Sequence, residues 1–108
     1  MSESVSGDQI IAVGGNRTET VGKDEAVSVA ATRSLTVGKD EVIAIGGTRS
    51  MTVGGALVAS AGDQIVLKVG GASITLNGNG DVVIEGTSIT LKASGDIVLK
   101  GQKILETP

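Results

Sequence analysis

Apolar residues recur along this chain with a period of eight. Val5, Val13, Val21, Val29, Val37, Ile45 and Val53 stand eight positions apart without a break. Two residues before most of them lies a second apolar side chain, at Val27, Leu35, Ile43 and Met51, continuing at Ala59 and Leu67. Side chains two apart on a strand share a face, so each octad predicts a short strand with a pair of residues directed inward. Gly14, Gly22, Gly38, Gly46 and Gly54 follow the octad residues directly, Ala30 replaces glycine once, and the register runs on through Gly62, Gly70, Gly78 and Gly86. A residue without Cβ lets the chain turn. The pattern therefore predicts strand, corner and strand again, the repetitive all-β arrangement that a fixed short period implies.

The polar half of the unit alternates. In "VGKDEAVSVAATRSLTVGKDEVIAIGGTRSMTVGG", Val21 to Gly55, a string returns two octads later because one position reads Arg17, Glu25, Arg33, Glu41, Arg49. Stacked octads would bring opposite charges together along that column; otherwise it is a solvated face, and exposed pairs contribute only about 0–1 kcal/mol each. Beyond Gly55 the accent changes. "SITLNGNGDVVIEG" (73–86) and "SITLKASGDIVLKG" (88–101) match at a spacing of 15. Inward pairs now fall at Ile65/Leu67, Ile74/Leu76, Val82/Ile84, Ile89/Leu91 and Ile97/Leu99, with spacings of 9, 8, 7 and 8. One repetitive domain over 1–108 is expected: regular octads over about 5–60, a slipped segment over about 61–104, and a terminal segment at 105–108. Gly70-Gly71 and Gly78-Asn79-Gly80 are its expected irregular corners.

An octad spans roughly 26 Å when extended, at about 3.3 Å per residue, which is one wall of a solenoid and no closed coil. Two closures satisfy it. One chain could fold into a two-sided roll with a coil for every two octads, or three chains could wind together, each giving one wall to every layer. The second leaves no lateral sheet edge exposed.

Composition narrows the chemistry. The 108 residues are 40% hydrophobic, yet Phe, Tyr and Trp are absent, so any core is built of aliphatic side chains and is thin. With no Cys and no His, disulfides, thiol nucleophiles, imidazole chemistry and the usual zinc ligands are excluded. A net charge of −3 and the lack of aromatic stacking platforms argue against nucleic acid as a partner. Apolar runs are far too short to cross a bilayer as a helix, and no basic-then-apolar leader stands at the N-terminus, so neither a membrane-spanning helix nor a signal peptide is expected.

The Val-Gly octads, the "GDQIVLK" and "GDIVLK" strands and the ending "SITLKASGDIVLKGQKI" resemble the C-terminal needle of the VgrG family. These are type VI secretion spike proteins related to the central spike of contractile phage tails. The resemblance runs from Val5 to Ile104. It implies an all-β, intertwined triple-stranded β-helix formed by a homotrimer, without cofactor or enzymatic activity. It also implies a membrane-puncturing structural role, with an Hcp-type tube behind a base domain and a PAAR-type tip protein or effector at the C-terminal end. Such a spike is assembled in the cytoplasm and injected by the contracting machine. No base is present in these residues, so the chain is expected to be a piece of a larger protein. The needle core would comprise the octad residues Val5, Val13, Val21, Val29, Val37, Ile45 and Val53 and their neighbours Val27, Leu35, Ile43 and Met51. Ile65, Leu67, Ile74, Leu76, Val82, Ile84, Ile89, Leu91, Ile97 and Leu99 would continue it. Lys103, Ile104 and Leu105, past the last glycine corner, are the candidate contact with a tip.

Three other functions are weaker. "NGNGDVVIE" (77–85) is one degenerate copy of a calcium-binding nonapeptide whose ligands come from successive coils. A Ser/Thr-x-Thr row at Thr18/Thr20, Ser34/Thr36, Ser50/Thr52, Ser73/Thr75 and Ser88/Thr90 would suit an ice-binding face on a monomeric two-sided solenoid, though β-favouring hydroxyls on a wet strand face are the preferred account. Glycan cleavage would use carboxylates such as Asp24/Glu25 and Asp40/Glu41, but the aromatic sugar platforms that usually accompany them are missing.

Overall fold

The computed structural model describes residues 3–107. The chain divides into two units, Met1–Gly47 and Thr48–Pro108. Among the described residues the only regular structure is β.

In the first unit the chain bends at Ser6-Gly7, Gly14-Gly15, Gly22-Lys23, Ala30-Ala31, Gly38-Lys39 and Gly46-Gly47, a spacing of eight. None of these residues has a positive φ. That is why Ala30-Ala31 serves as well as a glycine pair: the bend does not use the left-handed region that would exclude an L side chain. Nor does the chain crowd these positions, since a Cβ at Gly14, Gly22, Gly38 or Gly46 would meet nothing within 4 Å. Within one chain these bends therefore require glycine neither for conformation nor for space.

The second unit continues with bends at Gly54-Gly55 and Gly62-Asp63 and then forms a three-stranded antiparallel meander. Its strands are β1 (Gln64–Val69), β2 (Ala72–Asn77) and β3 (Val82–Glu85), in spatial order β1-β2-β3. Gly70-Gly71 joins β1 to β2, with φ +53° at Gly70, the positive value a two-residue type II′ hairpin takes at its first central position. The second connection, Gly78 to Asp81, is held by its own polar groups. The Asn77 amide donates to the Asp81 carbonyl at 2.9 Å, the Gly80 amide to the Asn77 carbonyl at 3.0 Å, and the Asp81 amide to Asn79 Oδ1 at 3.0 Å. Gly80 takes φ +99°. At the open end of the first hairpin, Gln64 Nε2 donates to Asn77 Oδ1 at 2.9 Å across a directly opposed pair.

One sequence expectation is corrected, and two readings that the sequence left open are narrowed. Gly70-Gly71 and Gly78-Asn79-Gly80 are hairpin turns, not corners of a continuing solenoid, because two complementary β-branched runs lie close enough in sequence to pair with each other. Nothing within the described chain builds the two-sided roll over residues 3–61: no strand there pairs with another, and no backbone amide donates to a carbonyl of another described residue. The alternating charge column is likewise unpaired within the chain. Arg17 instead meets Glu19, two residues on and on the same face, at 3.4 Å with both side chains well exposed. Such a pair contributes at most about 1 kcal/mol.

Gly78 is the glycine that the backbone itself requires. A Cβ there would lie 2.9 Å from the Gly62 carbonyl oxygen and 3.1 Å from that of Asp63, to which the Gly78 amide donates at 2.8 Å. Gly78→Ala is expected to destabilise the folded protein by about 1 kcal/mol per chain or more in denaturant titrations. Gly71→Ala, at a site with open space and no positive φ, should leave the midpoint unchanged.

Candidate functional site

No described residue is buried. A chain that is 40% hydrophobic therefore keeps its aliphatic side chains in contact with solvent when alone. That deficit, and not a cleft, is the site.

Exposure falls in a pattern. The octad residues Val5, Val13, Val21, Val29, Val37, Ile45 and Val53 all lie between 44% and 49% exposed, one environment repeated seven times. Their neighbours two positions earlier are somewhat more open, from Ile43 at 52% to Leu35 at 66%. Apolar residues of the opposite parity stand out in solvent, with Ile10 at 91%, Val42 at 87% and Val58 at 82%. Adjacent Val42 and Ile43 thus differ as residues on opposite faces of a strand should. Half-covered by their own chain and open on the other side, the octad residues Val5 to Ile45 form a stripe in the first unit, and Val53 repeats the same exposure in the second. Glu19 interrupts the stripe, standing at the octad position that Val27, Leu35, Ile43 and Met51 occupy elsewhere.

The meander repeats the theme with a different construction. Its pairing register opposes Ile65 to Leu76, Leu67 to Ile74, Val69 to Ala72, Ile74 to Ile84 and Leu76 to Val82. Since opposed residues share a face, one entire face of the sheet is aliphatic. Gln64, Lys68, Ser73, Thr75, Asn77 and Glu85 occupy the other, with Val66 and Val83 flanking Thr75. Ser73, Thr75 and Asn77 on the polar side and Ile65 on the aliphatic side are half-buried, while Ile74 and Leu76 remain about two-fifths exposed. A groove of about 320 Å³ opens between Leu67, Ile74 and Ile84 and the following Ile89. Packing this face against nothing would leave the sheet marginal in water.

Ile89, Leu91, Ile97 and Leu99 are exposed as well, between 52% and 68%. Past them, Ile104 and Leu105 are open, and Lys103 beside them is exposed. Two contributors lie outside the pattern read from the sequence. Ile11, two before Val13, belongs to the first stripe, and Val69, two after Leu67, belongs to the sheet face; the same two-residue spacing would have found both.

The polar groups assemble little chemistry. Asn79 and Asp81 of the nonapeptide-like string face each other across their own turn, Asn79 Nδ2 lying 3.3 Å from Asp81 Oδ2. Among the described residues no three acidic side chains converge in a way that would hold a metal ion. The surface offers area for association.

Comparison with known families places this surface in context. Residues 1–76 fit the family described as the bacteriophage T4 gp5 C-terminal trimerisation domain. The match takes in the regular octads, β1 and all but the last residue of β2, and ends before β3. No curated protein matches the chain.

If the stripe is covered by other copies, Ile45→Ala should cost about 2–5 kcal/mol per site, the range for a buried Ile→Ala change. Val42→Ala, on the open parity, should stay within about 0.5 kcal/mol of the parent. Paired denaturation curves of the two variants check the contrast.

Proposed function

Since the chain belongs to the bacteriophage T4 gp5 C-terminal trimerisation domain family, we propose that three copies wind together into the shaft of a contractile-machine spike. The observation that carries this is the stripe of octad residues, uniformly half-covered by one chain and left open by it. In the wound assembly each chain gives one wall to every layer, and the aliphatic stripes of three chains meet on the axis. Bends every eight residues set the length of a wall. Small residues at those bends keep the corners slim, which accounts for glycine and alanine at positions whose own backbone does not demand them.

Neighbouring chains also supply what the backbone of residues 3–61 lacks within one chain. Amides and carbonyls removed from water need partners, and strands of adjacent chains provide a continuous ladder with no free lateral edge. Each aliphatic side chain taken fully out of water contributes about 1.5–3 kcal/mol, and a layer whose three walls each carry the full pair counts six of them. The product is a stiff rod, because aliphatic interiors at close packing leave little freedom and β-branched side chains hold few rotamers. Stiffness is the mechanical property a puncturing spike needs.

The wider setting follows from resemblance to VgrG needles. A base domain and an Hcp-type tube would stand behind the shaft, a PAAR-type tip protein or effector would sit on the C-terminal end near Lys103, Ile104 and Leu105, and the rod would be driven through a target membrane from outside. A charged, Ser- and Thr-bearing exterior suits a rod forced through a bilayer without dissolving in it. No catalytic step is assigned. Aliphatic stripes that face other chains also disfavour the ice-binding solenoid, which needs a monomer with its own core; the purified protein should show no thermal hysteresis.

Ile45→Asp in the spike of an attacking cell is expected to abolish delivery of cargo to target cells, because three carboxylates would meet on the axis. Val42→Asp should leave delivery intact. Undiminished delivery with Ile45→Asp would refute the wound-shaft mechanism.

A further inference from the structure

The meander and the octads solve the same problem differently, and the difference bears on how three chains find one another. In residues 64–85 the backbone is paired within one chain, through six opposed pairs between β1 and β2 and four between β2 and β3. Their turns of two and four residues close at little entropic cost, and hairpins of this kind form in about 1–10 μs. Residues 3–61 have no such local partner among the described residues. Their ladders need other chains from the first bond.

Register is the second difficulty for the octads. The string Val-Gly-Lys-Asp-Glu at Val21 to Glu25 returns at Val37 to Glu41. Three chains slipped by two octads would bury nearly the same stripe and pair nearly the same charges, so a repetitive shaft specifies its own alignment weakly. The strings of the meander recur once, at 88–101, but no strands pair there, so among the described residues its folded form occurs once. Its apolar pairs sit at spacings of nine and eight, from Ile65 to Ile74 to Val82, and its face is bounded by two dissimilar turns.

We infer that residues 64–85 are where three-chain assembly begins, and that the occupant of their aliphatic face is the same face of two further copies of this chain. The face carries no charge to select a partner of opposite sign; Lys68 and Glu85 lie on the other side of the sheet. A surface that is wholly aliphatic is complementary to itself, and the family to which the chain belongs is a trimerisation domain. Each chain folds its meander first and presents Leu67, Ile74, Leu76 and Ile84. Three such faces meet, which aligns the chains at one register, and the octads then wind from that fixed point toward the N-terminus. This inference rests on the three-chain shaft proposed above.

Refolding and unfolding kinetics of the full-length chain test it, with conservative changes that let every variant fold. Ile74→Val removes a methylene from each copy of the meander face, and Ile45→Val removes one from each copy of the octad stripe. Each change acts three times per assembly, which lifts its equilibrium effect into a measurable range. The expected result is that Ile74→Val slows refolding by the same factor by which it lowers the folding constant, leaving unfolding unchanged, while Ile45→Val leaves refolding unchanged and speeds unfolding. The refolding rate of the parent should rise with protein concentration. Concentration-dependent refolding in which Ile45→Val takes the larger share of the slowing, or both variants share it equally, would overturn the meander as the starting point while leaving the shaft intact. Refolding independent of concentration, to a monomer, would overturn the shaft and this inference together.

Discussion

This chain cannot remove its own aliphatic side chains from water. Everything else in the structure follows from that constraint. The stripe of octad residues stays half-open, one face of the meander is bare, and no described residue is buried. A sequence with two-fifths hydrophobic residues and no single-chain core would ordinarily be an aggregation hazard, since exposed apolar strands invite edge pairing. Here the exposure is ordered: one environment recurs at every octad, and the opposite parity carries Ser, Thr and isolated aliphatics. Ordered exposure of that kind fits a defined number of identical partners better than random association, because each chain offers the same wall at the same interval.

Much of this is legible in the residues. Two apolar positions per eight, with a small residue after the second, announce the stripe, its face and the spacing of the bends. The reason glycine stands at the bends is not legible there. Composition says only that glycine is small and permissive, whereas the backbone shows that the permissiveness is unused at Gly14, Gly22, Gly38 and Gly46 and is used at Gly70 and Gly80. The meander is hidden for a related reason. A period of two looks the same whether a strand's neighbour belongs to its own chain or to another, and only the placement of Gly70-Gly71 and Asn79 distinguishes a hairpin from a corner. The alternating Arg and Glu column carries even less, because long exposed side chains find partners close by, as Arg17 does with Glu19.

The two parts of the chain suit a single task in complementary ways. In the proposed shaft a repetitive wall would give length and stiffness with few residue types, and side chains without aromatic rings would keep it slim. Repetition also erases positional information, which the meander restores because its paired strands occur once among the described residues. The Asx-type turn at Asn79, the Gln64 to Asn77 bond and the close approach of Gly78 to the Gly62 and Asp63 carbonyls set the register of that element by contacts within one chain.

The central claim is that the missing core is supplied by two further copies of the chain, and the most direct test is the mass in solution at micromolar concentration by sedimentation equilibrium. Three times the chain mass of 10.7 kDa is the expected result. A folded, β-rich species of 10.7 kDa would contradict it, because such a monomer would have to bury its aliphatic stripe within itself.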